Sequence, residues 1–224
     1  MKEITVRLYE YDELSDEAKR KAHEDWLSQG HEHFWGGEVR DTLKKLEEEF
    51  DIEVSRWSYD SCSYDSGSII WGTSWDDDRL ALAGERARAF LWNRFGHLLL
   101  TGRYYSKFHG TKHAHSKFWF DRVYDGTCPL TGVCFDNDAL DPLAYFCFGV
   151  KWDEKAKKRV MVPHDERWRW RSTTVEEIIR DCVDSLFKSA QQDCEYQDSE
   201  EYFAEMCEAN DWTFEEDGTR RDAA

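Results

Sequence analysis

The chain has 224 residues, 47 Asp and Glu against 30 Lys and Arg, and a net charge of −17. That charge turns nucleic acid and anionic membranes away from most of the surface and suits a soluble protein, or one whose partner is basic. Such a polar chain invites disorder, but 11 Trp, 10 Tyr and 13 Phe supply core material, each large ring able to bury about 150–250 Å². No apolar run approaches the roughly 18 residues of a membrane span. The opening Met1–Thr5 is charged and lacks the apolar segment of an export signal. The seven Cys, odd in number and irregularly spaced, are therefore expected as reduced thiols in the cytoplasm.

The charge is polarised along the chain. Residues 1–60 carry −8, residues 61–78 carry −4 and residues 191–224 carry −10. Residues 79–122 carry +7 and four of the eight His. Two acidic ends thus flank a basic middle, which implies either mutual neutralisation or two surfaces with different tasks.

In chain order, Ile4, Val6 and Leu8 alternate as in a strand. Ser15 is placed to cap a helix whose first turn holds Asp16 and Glu17, with Leu14, Ala18, Ala22 and Trp26 on one face. A second helix is predicted from Gly37 to Phe50 on Val39, Leu43, Leu46 and Phe50, completing a helical hairpin. Strands are expected over 51–59 and 68–71. Asp76, Asp77 and Asp78 open a helix reaching about Leu100. Residues 102–125 look strand-like, and Cys128 to Asp141 reads as a loop. Tyr145–Trp152 and Arg159–Val162 read as the arms of a β-hairpin. Thr174 and Glu177 form a capping box before a wide apolar stripe from Val175 to Phe187. A short helix follows to Ala209, Asn210 is placed as a left-handed cap, and Trp212 and Phe214 suggest a last strand.

These elements predict one α+β domain over residues 1–224. It has a mixed, mostly antiparallel sheet, an N-terminal helical hairpin, a central helix and a C-terminal helical pair. Residues 172–218 form a semi-independent acidic helical subdomain in this reading.

Four constellations bear on chemistry. His109, His113 and His115 lie close in sequence; residues 113 and 115 share one face of a strand, where two imidazoles, with Asp121, suit a metal. The alternative is exposed strand histidines, since no zinc-type spacing accompanies them. Cys128 and Cys134 flank five residues, a loose spacing for a metal knuckle, and read as small side chains fixing a turn. Arg103, Lys107, Lys112 and Lys117, interleaved with aromatics, suit single-stranded nucleic acid, or else simply alternate outward from strands. Last come the carboxylates Asp76, Asp77, Asp78, Glu200, Glu201, Glu205, Glu208, Asp211, Glu215 and Glu216. Clustered acids imitate phosphates toward a basic partner, or form solvated faces. Tyr202 and Trp212 beside them are read as exposed aromatic anchors. There is no P-loop, dinucleotide fingerprint or Ser-His-Asp motif, so no catalytic residue and no cofactor is expected.

Several segments together resemble one family. The opening Tyr9-Glu10-Tyr11-Asp12-Glu13-Leu14-Ser15-Asp16-Glu17-Ala18-Lys19, the segment Cys128-Pro129-Leu130-Thr131-Gly132, and the ending through Glu208-Ala209-Asn210-Asp211-Trp212-Thr213-Phe214-Glu215-Glu216-Asp217-Gly218 carry the likeness. They are similar to acidic proteins of phages and mobile elements commonly labelled "antitoxin of toxin–antitoxin stability system". The resemblance implies a cytoplasmic, phage- or mobile-element-encoded protein. Its expected task is non-enzymatic: to bind and neutralise a basic bacterial toxin, nuclease or immune effector, as an antitoxin or counter-defence protein. The alternative is an RNA-binding protein or metal-assisted nuclease using residues 79–122.

Overall fold

A computed structural model describes residues 7–30, 33, 35–55, 57–59, 69–71, 75–99, 128–153, 158–161 and 170–221. Helices dominate: α1 (Asp16–Ser28), α2 (Gly36–Phe50), α3 (Asp77–Leu80), α4 (Gly84–Leu99), α5 (Phe135–Phe148), α6 (Val175–Gln197) and α7 (Glu200–Ala209), with a 3-10 turn at Tyr11–Glu13. Among the described residues the strands form three separate antiparallel pairs: β1 (Ile52–Val54) with β2 (Ile69–Trp71), β3 (Val150–Asp153) with β4 (Lys158–Met161), and β5 (Thr213–Phe214) with β6 (Arg220–Arg221). Among the described residues the chain is thus α+β with antiparallel strand pairing, as expected, but mostly helical, its strands in small pairs rather than one mixed sheet. The predicted strand over 102–125 lies outside the described residues.

The chain divides into two compact units. One joins residues 1–34 to residues 191–224; the other spans residues 35–190. α1 and α2, expected as a helical hairpin, belong to different units. The residues of α6 are shared between the units.

In the larger unit the apolar stripe of α2 packs against α5, and α5 against α4. Val39, Leu46, Phe50, Leu91, Leu143 and Leu186 are fully buried. Phe50 meets Phe95 edge-on at 4.7 Å, and the Trp75 indole N–H donates to the Phe50 carbonyl at 2.6 Å. The capping box forms as its spacing requires: the Thr174 amide donates to Glu177, and the Glu177 amide to the Thr174 hydroxyl.

Two departures from the sequence pattern have local causes. The helix predicted from Asp76 to Leu100 breaks at residues 81–83. There the Val175 amide donates to the Leu82 carbonyl and the Gly84 amide to the Thr173 carbonyl. Gly84 has φ +60°, and a Cβ there would lie 2.8 Å from the Arg171 carbonyl oxygen, so the close approach requires glycine. Residues 135–148, read as loop and strand, are helical although they contain Pro142. Proline removes the N–H that would satisfy the Asp138 carbonyl. The Ser185 hydroxyl of α6 donates to that carbonyl instead, at 2.8 Å.

The Asn137 side-chain amide donates to the Cys128 Sγ at 3.8 Å, but the loop ahead of α5 is organised chiefly by Asp136. This fully buried carboxylate accepts the amides of Leu130, Thr131 and Gly132 and the hydroxyls of Thr131 and Thr42. Five donors converging on one carboxylate satisfy a charge that would otherwise be costly to bury. Cys134 is exposed. Cys194 is disulfide-bonded, which corrects the expectation that all seven thiols are reduced.

Replacing Ser185 with Ala leaves the Asp138 carbonyl without this donor. Urea unfolding of the variant should show a loss of about 1–3 kcal/mol; unchanged stability would mean that the hydroxyl contributes nothing at this position.

Candidate functional site

The smaller unit concentrates the charge. Its two segments hold 21 acidic and 7 basic residues, so −14 of the net −17 resides there. Self-repulsion on that scale needs a compensating core, and aromatic packing provides it. Phe203, on α7, is 1 % exposed. Its ring lies 5.1 Å from Trp26, 5.2 Å from Tyr11, 5.4 Å from His23, 6.1 Å from Trp212 and 6.4 Å from Phe214. Ala18 and Ala22 are the small residues that let α1 approach this cluster.

Capping sets the helix starts. Ser15 accepts the Ala18 amide and Ser199 the Tyr202 amide. At the end of α7, Asp211 takes the left-handed conformation, one residue later than the expected Asn210. The Trp212 amide bonds the Cys207 carbonyl and the Asp211 amide the Glu208 carbonyl, closing the helix and turning the chain toward β5. Phe214 then pairs on both sides, with Tyr9 and with Arg220.

The turn between β5 and β6 docks on α1. Gly218 has φ +86°, and a Cβ there would fall 2.2 Å from the Ala18 carbonyl oxygen. The Lys21 ammonium reaches Asp217 at 2.6 Å and the Thr219 hydroxyl at 3.0 Å. Donation from Lys21, and then from the Thr219 amide and hydroxyl, holds the Asp217 carboxyl well below the usual carboxylate range. The pair is exposed, so its thermodynamic weight is small.

Every described cation of this unit is engaged. Arg7 lies over the Tyr9 ring, Lys19 over Tyr11 and Arg220 over Trp212, the last at 3.8 Å. Arg20 pairs with Glu24, Lys21 with Asp217 and Arg221 with Glu215. Glu200, Glu201, Glu208, Asp211 and Glu216 are exposed, and no ion pair with another described residue involves them. Glu201, Glu205 and Glu208 recur at helical spacing and make one acidic stripe along α7.

The structure brings Glu200, Glu201, Glu205, Glu208, Asp211, Glu215 and Glu216 into this one unit; Asp76, Asp77 and Asp78 belong to the other. There Asp76 caps α3 by accepting the Arg79 amide, and it also pairs with the Arg79 side chain. Tyr202 and Trp212, expected as exposed anchors, are half-buried: Tyr202 meets Tyr196 edge-on at 5.5 Å, and Trp212 packs against Phe203 beneath Arg220. The more exposed ring is Tyr196, 41 % accessible, whose hydroxyl donates to Glu205. The sequence pattern passes over it because α6 extends beyond the apolar stripe that announces the helix. Arg103, Lys107, Lys112, Lys117, His109, His113, His115 and Asp121 lie outside the described residues.

Little here is poised for covalent chemistry. Burial pushes the Cys207 thiol up to about 12 and raises Cys182 and Cys147 as well, so none of these is a ready thiolate. Burial, reinforced by the Glu200 carboxylate, pushes the Tyr11 hydroxyl up to about 12. Among the described residues no group of three His, Cys, Asp or Glu side chains is arranged to hold a metal, and no helix is long and apolar enough to cross a membrane. Comparison with family models, curated proteins and solved structures gives no match.

Two measurements check this geometry. Gly218→Ala should lower the melting temperature and expose the Tyr9 and Phe214 amides to hydrogen exchange, because a methyl group collides with the Ala18 carbonyl. Gly37→Ala, which meets nothing within 4 Å, should be neutral or stabilising by up to about 1 kcal/mol. In Lys21→Gln, the Asp217 carboxyl should titrate higher by NMR, toward the ordinary value of about 3.9. Because the native carboxyl is lowered, its contribution is complete above that ordinary value and is lost as pH falls through the lowered one. An unmoved titration would show that the Lys21 contact is absent in solution.

Proposed function

We propose that this protein is a non-enzymatic acidic inhibitor. It binds a basic bacterial protein, a toxin, nuclease or immune effector, and covers the surface with which that protein meets nucleic acid. The carrying observation is the unit made of both chain ends, −14 over 68 residues, whose described cations are all engaged on rings or carboxylates. Carboxylates without partners on a rigid helix provide long-range steering and a spaced array of negative charge. The sequence likeness to phage and mobile-element antitoxin-labelled proteins points the same way. The bacterial cytoplasm is the proposed site of action.

The test is affinity capture from bacterial lysate, with captured proteins identified and then purified for binding measurements. The captured set should be enriched in basic, nucleic-acid-binding proteins, and affinity should fall steeply with salt. Neutralising Glu201, Glu208, Asp211 and Glu216 together, as Gln or Asn, should weaken binding about tenfold or more, since each exposed charge contributes only a fraction of the attraction. Affinity independent of salt, or unaffected by the four substitutions, would overturn the charge mechanism.

A further inference from the structure

Within the acidic unit, Ala22, Asp25, Trp26 and Gln29 recur at helical spacing on one face of α1, opposite Gly218, Thr219 and Arg220 of the last hairpin. Between these walls lies a cleft of about 200 Å³, with Phe203 and Phe214 also lining it. Both rings are 1 % exposed, so they form the floor. The space exists because Ala22 and Gly218 contribute almost no side chain to it. Its volume falls below the roughly 300–1,000 Å³ of metabolite sites. It suits one side chain instead.

The rim decides which side chain. Asp25 is exposed, and among the described residues its carboxylate has no hydrogen bond or ion pair. The neighbouring cations are committed: Lys21 to Asp217 and Thr219, Arg220 to the face of Trp212. Asp25 acts on Lys21 only at longer range and has no contact partner among the described residues, so it presents a negative charge beside an aromatic floor, inside a unit of charge −14. Long cationic side chains combine the two matching properties, an apolar stem and a charged head, and aromatic faces attract the head as well.

The geometry points to this cleft as the seat of one Lys or Arg side chain of the basic protein partner. The stem lies on Phe203, Phe214 and Trp26, and the head meets Asp25. This rests on the proposed reading of the partner as basic, and it replaces half-buried Trp212 and Tyr202 as the specific contact: the inhibitor offers a socket and its partner brings the anchor. A single seated side chain gives register to an attraction that spread charge alone leaves unspecific.

The probe is a set of short capped peptides, Ac-Gly-Arg-Gly-NH2 and Ac-Gly-Lys-Gly-NH2, titrated into the isotope-labelled full chain and followed by NMR. Ac-Gly-norleucine-Gly-NH2 supplies the stem without the charge. The cationic peptides should give saturable shifts confined to Asp25, Gln29, Thr219, Arg220 and the Trp26 indole. Asp25→Asn should weaken them roughly tenfold. Asp12→Asn, which removes the same charge from the 3-10 turn, should leave them unchanged. Shifts scattered over all the carboxylates without saturation, equal binding of the norleucine peptide, or indifference to Asp25→Asn would each overturn the seat. The two readings fail separately. Peptide seating without capture of any basic protein supports the seat and defeats the inhibitor reading. Capture of a basic protein that Asp25→Asn does not weaken defeats the seat alone.

Discussion

The burial of Phe203 is the interaction on which the acidic unit depends. Five rings contributed by both ends of the chain surround it. Among the described residues the other buried members of the cluster are Leu14, Ala18, Ala22 and Cys207. A small unit with a large net charge needs much apolar area from few residues, and aromatic side chains supply the most per residue. The aromatic-rich composition is a requirement of folding so much charge.

The same rings manage the electrostatics. Cations set over Tyr9, Tyr11 and Trp212 are held by π-faces and leave the carboxylates uncompensated. Had those cations paired with α7 instead, the acidic stripe would be largely neutral. The arrangement keeps basic residues where they help packing and away from where they would mask the field. The docking of Gly218 on Ala18 fixes the hairpin and with it the second wall of the cleft.

Local features were readable in the sequence, and long-range ones were not. Ser15 and Thr174 with Glu177 act as the caps expected, because capping depends on atoms within three residues of one another. The stripes of α2 and α6 are buried as their spacing requires, since periodicity reports the face that packs. The helix through Pro142 was hidden because its compensation comes from Ser185, on another helix. The break after α3 was hidden for the same reason, its partners lying at Arg171 to Val175. Of the candidate site, the carboxylates of α7 and their grouping were visible as a charge run. The cleft was not, since it is made by residues from α1, α7 and the last hairpin and its key members are an alanine and a glycine.

The exchange between Pro142 and Ser185 makes those positions a coupled pair. The hydroxyl at 185 matters only while residue 142 lacks an amide hydrogen. In any relative where residue 142 regains that hydrogen, the Asp138 carbonyl is satisfied within its own helix and position 185 is released to vary. Among relatives, therefore, proline at the first position should be inherited together with a short hydroxyl donor at the second, and the pair should be lost together.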